Sequence, residues 1–268
     1  MITSAQNPKI QAVRELLSRP RARREAGAFA IEGVRLAEEA VASGWPLQQG
    51  FYSENISPRG QAIVQRLIEK GVPIEPVSTG LMQSLADTET SQGLLLILEY
   101  HPLAQPESLD FAIVVDAIRD PGNLGALLRT AWAAAVQAVL LAPTTTDPFA
   151  PKVLRAAMGA HFHLPILSLD WPALRAVLKE RPHPLEVYLA EANQGAALWQ
   201  ADFRAPVALL IGGEAEGPGP QARQLAGQRV HIPMPGDSES LNAAAAAAVL
   251  LFEVVRQRHN IEPTLSKP

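Results

Sequence analysis

The first clear pattern along the chain is helical. Between Asn7 and Leu17, apolar residues fall at Ile10, Val13, Leu16 and Leu17, the three-and-four spacing of a helix with one buried stripe. Pro20 is expected to end that helix, because proline lacks the N–H and clashes with the preceding turn. From Phe29 to about Tyr100, short apolar runs alternate with helical stretches. Strands are expected at Phe29–Ile31, Pro46–Tyr52, Val72–Val77 and Gly93–Leu98, and helices at Gly33–Ser43, Gly60–Lys70 and Ser78–Leu85. His101-Pro102-Leu103-Ala104-Gln105-Pro106 then reads as a linker. It sets an expected boundary between a domain at 1–105 and a second at 106–268.

The second half repeats the alternation. Strands are expected at Phe111–Ala117, Ala138–Ala142, Phe162–Leu167, Leu185–Ala190, Val207–Ile211 and Val230–Ile232. Helices are expected at Asn123–Val136, Pro148–Met158 with Asp147 as its cap, Pro172–Lys179, Gln221–Ala226 and Ser240–Arg258. Continuous apolar strands separated by helices imply an α/β fold with a parallel sheet covered on both faces. Ligands of such sheets sit in loops at the carboxyl ends of the strands.

Composition narrows the class. Of 268 residues, 47% are hydrophobic and 19% charged, enough apolar material for a real core. The absence of cysteine excludes disulfides, thiolate zinc sites, iron–sulfur clusters and a cysteine nucleophile. Met1–Pro8 is polar, so no signal peptide is expected, and no apolar run reaches the ~20 residues of a membrane span. A soluble, cytoplasmic protein is the expectation. The net charge of −4 argues against bulk coating of nucleic acid. That charge is divided, however: residues 1–25 hold six basic and two acidic side chains. Lys9, Arg19, Arg21, Arg23 and Arg24 are therefore candidate phosphate contacts, with a solvated helix face as the competing reading.

Three loops carry unusual residues. In the first, Asp116-Ala-Ile-Arg-Asp-Pro-Gly-Asn123-Leu-Gly runs from a strand into a helix, with Asn123 as expected cap and Arg129 under two turns along. In the second, Ile211-Gly212-Gly213-Glu214-Ala-Glu-Gly217 ends a strand in glycines that admit a close ligand, with acidic side chains at the turn. In the third, His231-Ile232-Pro-Met234-Pro-Gly236 leads to Ser240-Leu241-Asn242 and six alanines, with Ser240 as expected cap. The dinucleotide fingerprint G-x-G-x-x-G is absent from the first loop, so an oxidoreductase has little support. His161 and His163 alternate on an expected strand; two histidines are too few for a metal site and read as structural or surface residues, and no metal is indicated elsewhere.

In this order, the three loops resemble the motifs of the SpoU/TrmH family of SPOUT RNA methyltransferases, over residues from about 108 to 258. Asn7-Pro-Lys9-Ile10, Phe29-Ala-Ile-Glu32-Gly33 and Thr88-Glu-Thr-Ser-Gln92-Gly93 resemble, more loosely, the ribosomal-protein-like RNA-binding domain that precedes it in many members. Ser91 stands where that pattern usually has proline. The resemblance implies a small N-terminal α/β RNA-binding domain and a C-terminal parallel-sheet domain tied in a deep trefoil knot. It implies a homodimer that transfers a methyl group from S-adenosyl-L-methionine to a ribose 2′-hydroxyl of RNA. Gly212, Gly213, Ile232, Met234 and Leu241 would contact the cofactor. Arg129 would be the catalytic arginine, with Asn123, Glu214, Ser240 and Asn242 shaping the site. The extra N-terminal domain favours large-subunit, 23S-type rRNA as substrate; tRNA and a noncatalytic RNA-binding role are the alternatives.

Overall fold

A computed structural model describes residues 1–86, 90–213, 217–236, 238 and 240–259. In chain order the elements are helices α1 (Pro8–Ser18) and α2 (Pro20–Ala26), strand β1 (Ala28–Glu32), α3 (Val34–Ala42), β2 (Leu47–Ser53), α4 (Pro58–Glu69), β3 (Ile74–Val77), α5 (Thr79–Leu85) and β4 (Leu94–Glu99). They continue as β5 (Phe111–Val115), α6 (Pro121–Ala133), β6 (Ala138–Leu141), α7 (Pro151–Ala157), β7 (Ile166–Ser168), α8 (Trp171–Lys179), β8 (Glu186–Ala190) and β9 (Ala196–Ala197). The chain ends with β10 (Val207–Ile211), α9 (Pro220–Leu225), β11 (Gln228–His231) and α10 (Ala243–Arg258). No described helix is long and apolar enough to cross a membrane.

Two compact units result: Met1–Pro102 with Asp147–His163, and Leu103–Thr146 with Leu164–Pro268. The first departs from a continuous division near residue 105, since the stretch carrying α7 packs with the N-terminal unit.

In that unit a four-stranded mixed sheet runs in the order β1-β4-β2-β3. β4 pairs antiparallel with β1, Phe29 facing Leu98, and antiparallel with β2; β2 and β3 run parallel. The stripe expected on α1 is the buried one: Ile10, Val13 and Leu16 pack with Phe51, Val77, Leu81 and Leu95. Pro20 does end α1, but it also opens α2, occupying the first turn where its missing N–H costs nothing. Arg23 on α2 is 3% exposed. It donates from Nε and Nη2 to Asp147 Oδ2 at 2.9 and 2.5 Å and from Nη1 to the Leu16 carbonyl at 2.6 Å. Asp147 thus does not cap α7, which starts at Pro151; its carboxylate holds Arg23 and accepts from Phe149 N–H at 2.9 Å.

The expected strand from Phe162 is a second correction. Ala160–Phe162 is a single 3-10 turn, and the strand begins at Ile166. His161 and His163 therefore do not share a strand face. His161 is buried, with Nε2 against the Pro148 carbonyl at 2.7 Å, while His163 lies 3.6 Å from Glu39. Phe29, Tyr100 and Phe149 stack around this turn, and Phe149 lies 5.3 Å from the His161 ring.

The second unit is a seven-stranded sheet, order β7-β6-β5-β10-β8-β11-β9, parallel throughout. β5 and β10 lie at its centre in register from Phe111–Val207 to Val115–Ile211, and every residue of both is buried. Each fully buried Val, Ile or Leu there contributes about 1.5–3 kcal/mol. Ala112, Val114, Ala208 and Leu210 face a core with Leu174 and Leu178 of α8 and Ala222 and Leu225 of α9. α6 and α10 pack against each other, and α10 also packs on β10. The strands are short and end together, so the loops after β5, β8, β10 and β11 gather at one edge.

His161 makes stability depend on pH. Burial pushes its imidazole down to about 4 from an ordinary 6.5, outweighing the Pro148 carbonyl and Asp147, which favour the cation. Between pH 6.5 and 4 the unfolded chain takes up a proton that the folded chain refuses. Stability is complete above 6.5 and falls by about 3 kcal/mol as pH drops to 4. In thermal melts, His161→Gln should lose several degrees less than wild type between pH 7 and 4.5. An identical pH dependence in the two proteins would refute this assignment.

Candidate functional site

The loops at the carboxyl edge of the seven-stranded sheet enclose a cavity of about 600 Å³. Gly212, Gly213, Ile232, Met234 and Leu241 all line it, joined by Asn123, Ser240 and Asn242. The glycines are there for space. A Cβ on Gly212 would stand 2.6 Å from the Pro218 nitrogen, and one on Gly213 would stand 2.5 Å from the Ala117 carbonyl oxygen. Gly213 and Gly217 bridge across the loop. Glu214 lies outside the described residues, so no position is given for it.

Two asparagines tie the first and third loops together. Asn242 caps α10: its Oδ1 accepts from Ala244 and Ala245 N–H at 3.0 and 3.2 Å. Its Nδ2 donates to Asn123 Oδ1 at 3.0 Å. The caps therefore differ from those expected, by three residues at α6 and by two at α10. Asp120, not Asn123, caps α6 by accepting from Asn123 N–H at 2.8 Å. Ser240 precedes the helix, and its carbonyl accepts from Ser238 Oγ at 3.0 Å. Asn242 serves better than Ser240 because its longer side chain can bond two N–H groups of the first turn and still donate outward.

Arg129 is not in the cavity. It is exposed on α6, six residues and about 9 Å along the axis from Asn123, roughly two-thirds of a revolution around the helix. Among the described residues, no hydrogen bond or ion pair engages it. Trp132, three residues on, is exposed on the same face, and Val249 and Phe252 are exposed on the neighbouring α10.

Sequence motifs did not single out Glu191, yet it lines the cavity from the carboxyl end of β8. Its Oε1 accepts from Arg223 Nη2 at 2.8 Å, and its Oε2 lies 3.7 Å from Arg229 Nε. The only available signal was its place directly after an apolar strand. Glu191 Oε2 and His231 Nδ1, both in cavity-lining residues, are buried without a hydrogen bond.

The basic run fares differently. Lys9 pairs with Glu75, Arg19 with Glu15 at 2.8 Å and Arg21 with Glu25 at 2.6 Å. Arg23 is withdrawn from any phosphate by burial against Asp147, which corrects its assignment as an RNA contact. Among the described residues, Arg24 is the one of the five that is exposed with no ion pair. Among the described residues, no group of three His, Asp or Glu side chains is placed to hold a metal ion.

Two family models match the chain: the SpoU rRNA methylase family over residues 110–252 and the MRM3-like substrate-binding domain over residues 7–96. A 23S rRNA (guanosine(2553)-2′-O)-methyltransferase of Bacillus subtilis is 31% identical, across 94% of this chain and 98% of its own. The crystal structure of the SpoU methyltransferase AviRb from Streptomyces viridochromogenes with S-adenosylmethionine superposes with a TM-score of 0.84 at 29% identity, covering 94% of this chain and 98% of that one. An S-adenosylmethionine-bound rRNA methyltransferase from Sinorhizobium meliloti gives the same TM-score at 28% identity, covering 95% and 97%. With the glycine-walled cavity, the paired asparagines and more than half of its length matched, the chain belongs to the SpoU rRNA methylase family.

Proposed function

We propose that this protein methylates a ribose 2′-hydroxyl of large-subunit, 23S-type rRNA, with S-adenosyl-L-methionine as donor. One observation carries the reading: a cavity of nucleoside size, walled by two glycines that tolerate no side chain and closed by the Asn123–Asn242 bond. Ile211, Ile232, Met234, Leu241 and Leu250 offer apolar faces for an adenine, and the loop backbone supplies donors and acceptors. Glu191 and His231 add polar groups whose hydrogen bonding is incomplete without a ligand. These residues fit the cofactor. The rRNA assignment is supported by the 23S rRNA relative and by the substrate-binding-domain match over 7–96.

When bound, the cofactor supplies an electrophilic methyl on a sulfonium whose sulfur leaves neutral, so no acid is needed to expel it. The residues of the chain must then deal with the hydroxyl, a poor nucleophile until its proton is removed or polarised. Arginine stays protonated, so Arg129 is no literal base. It holds the phosphate next to the target ribose and stabilises the developing alkoxide, with that phosphate as proton acceptor. Asn123 and Asn242 fix the loops between which the ribose is presented, and Ser240 bonds within the site. Glu214 is assigned to shaping the site or contacting the ribose.

Arg129 stands outside the cavity of its own chain, which favours a homodimer built on the α6–α10 face. Trp132, Val249 and Phe252 are its apolar anchors, and Arg129 beside them would reach the RNA bound at the partner's cavity. We further infer the family's trefoil knot in the β10–α10 segment and action in the cytoplasm, where the substrate rRNA is found.

Three outcomes are expected. Arg129→Ala should lower transfer to a 23S-type transcript about a hundredfold or more, with cofactor affinity by calorimetry within about twofold. Full activity would sink its assigned role. Gly213→Ala should abolish calorimetric binding of the cofactor while the thermal unfolding transition stays cooperative, because the added carbon meets the Ala117 carbonyl. Unchanged binding would show that the cavity wall is not the cofactor's. Phe252→Glu should give a monomeric mass in light scattering and little transfer; a dimeric mass would move the interface elsewhere.

A further inference from the structure

Next to the glycine-walled cavity is a second one, of about 630 Å³, at the carboxyl ends of β5 and β6. The two share a wall made by Gly213, Gly217, Pro218 and Arg223. The function described above gives this second cavity no occupant.

Three side chains distinguish it. Asp116 is a carboxylate only 4% exposed. Its Oδ2 accepts from Gly219 N–H at 2.8 Å, and the side chain makes no other hydrogen bond among the described residues, which leaves acceptor capacity on the cavity wall. Arg119 borders the cavity as an exposed cation with no ion pair or hydrogen bond among the described residues. Trp171 opens α8, half-buried, with part of its surface on the core and part on the cavity.

The backbone around them is held in costly conformations. Ala117 and Thr144 have φ of 56° and 72°, in the left-handed region that a β-branched residue such as threonine seldom enters. Cross-loop bonds keep them there: Ala117 N–H donates to Thr145 Oγ1 at 3.2 Å, and Thr146 N–H donates to the Ile118 carbonyl at 3.0 Å. Strain maintained by such bonds clusters at ligand sites.

We propose that this cavity binds a second nucleotide of the substrate RNA, a neighbour of the one that is methylated. Its base stacks on Trp171, an N–H group on the base edge donates to Asp116, and its phosphate meets Arg119. Single-stranded RNA is read in this way, by bases splayed onto aromatic faces and hydrogen-bonded at their edges. A carboxylate only accepts, so it selects bases with N–H donors; guanine, with adjacent imino and amino donors, suits it best. The assignment rests on the methyltransferase reading, because an occupant that shares a wall with the cofactor lies beside the site of transfer.

The test uses guanosine 5′-monophosphate titrated into the full chain, read by tryptophan fluorescence, with and without saturating S-adenosylmethionine. Saturable quenching should persist when the cofactor is bound and disappear in Trp171→Phe. Because Trp171 also packs on the core, the exposed Arg119→Gln provides the second variant. It should raise KM for a 23S-type transcript about tenfold and leave kcat and cofactor affinity within about twofold. Quenching abolished by the cofactor would put the nucleotide in the first cavity and overturn the proposal. So would a wild-type KM in Arg119→Gln. A wild-type chain that bound the nucleotide but neither cofactor nor RNA would instead bring down the methyltransferase reading, and this assignment with it.

Discussion

At Gly213 the main chain passes so close to the Ala117 carbonyl that not even a methyl group fits between them. This contact brings the loop after β10 against the loop after β5, although about a hundred residues separate them. It exists because β5 and β10 are hydrogen-bonded neighbours in exact register, with both ends leaving the sheet at Val115 and Ile211. The Asp116 N–H continues the ladder to the Ile211 carbonyl at 2.9 Å, and its carboxylate then crosses to Gly219. The two loops are therefore tied to each other by backbone and side chain. On one side of the contact lies the glycine-walled cavity and on the other the cavity beside Trp171. Glycine at 212 and 213 is thus a requirement of packing between backbones, which comes before any requirement of a ligand.

Much of this was legible in the sequence. The strands at Phe111, Ala138 and Val207 are continuous apolar runs, and such runs are what a sheet buried on both faces demands. Gly212, Gly213, Ile232, Met234, Leu241 and Asn242 were named through the resemblance to the SpoU/TrmH motifs, and the convergence of loops at the carboxyl ends of parallel strands explains why they line one cavity. What failed was local. Pro20 reads as a helix stop, and only the structure shows the same proline opening α2. Asn123 and Asp120 are both good caps, and spacing alone does not say which side chain turns back to the helix. His161 and His163 have strand-like alternation, yet the glycine at 159 and the Pro148 carbonyl fold them into a turn. Glu191 carried no motif at all; its place at the cavity follows from where β8 ends.

Charge gives the sharpest contrast between sequence and structure. Six basic residues in the first 25 suggested an arm that grips phosphates. Folding turns most of that charge inward or sideways. Arg23 becomes a buried strut between α2 and Asp147, and leaving either partner alone there would cost about 3–5 kcal/mol. Lys9, Arg19 and Arg21 are each neutralised by a carboxylate within reach. Such exposed pairs add about 1 kcal/mol or less to stability, but they dilute the local field.

Three of the cations that have no ion pair among the described residues stand out by their position. Arg119 borders the second cavity, Arg129 stands on the apolar α6–α10 face, and Arg24 is exposed at the end of α2. An acidic protein gains little from long-range attraction to RNA, so a guanidinium that contacts a phosphate must act at short range. Specificity then has to come from what lies beside each cation: a carboxylate and an indole near Arg119, and an apolar surface near Arg129. An enzyme that must find one ribose in a large folded RNA is better served by such short-range checks than by a uniformly basic surface, which would hold every helix of that RNA equally well.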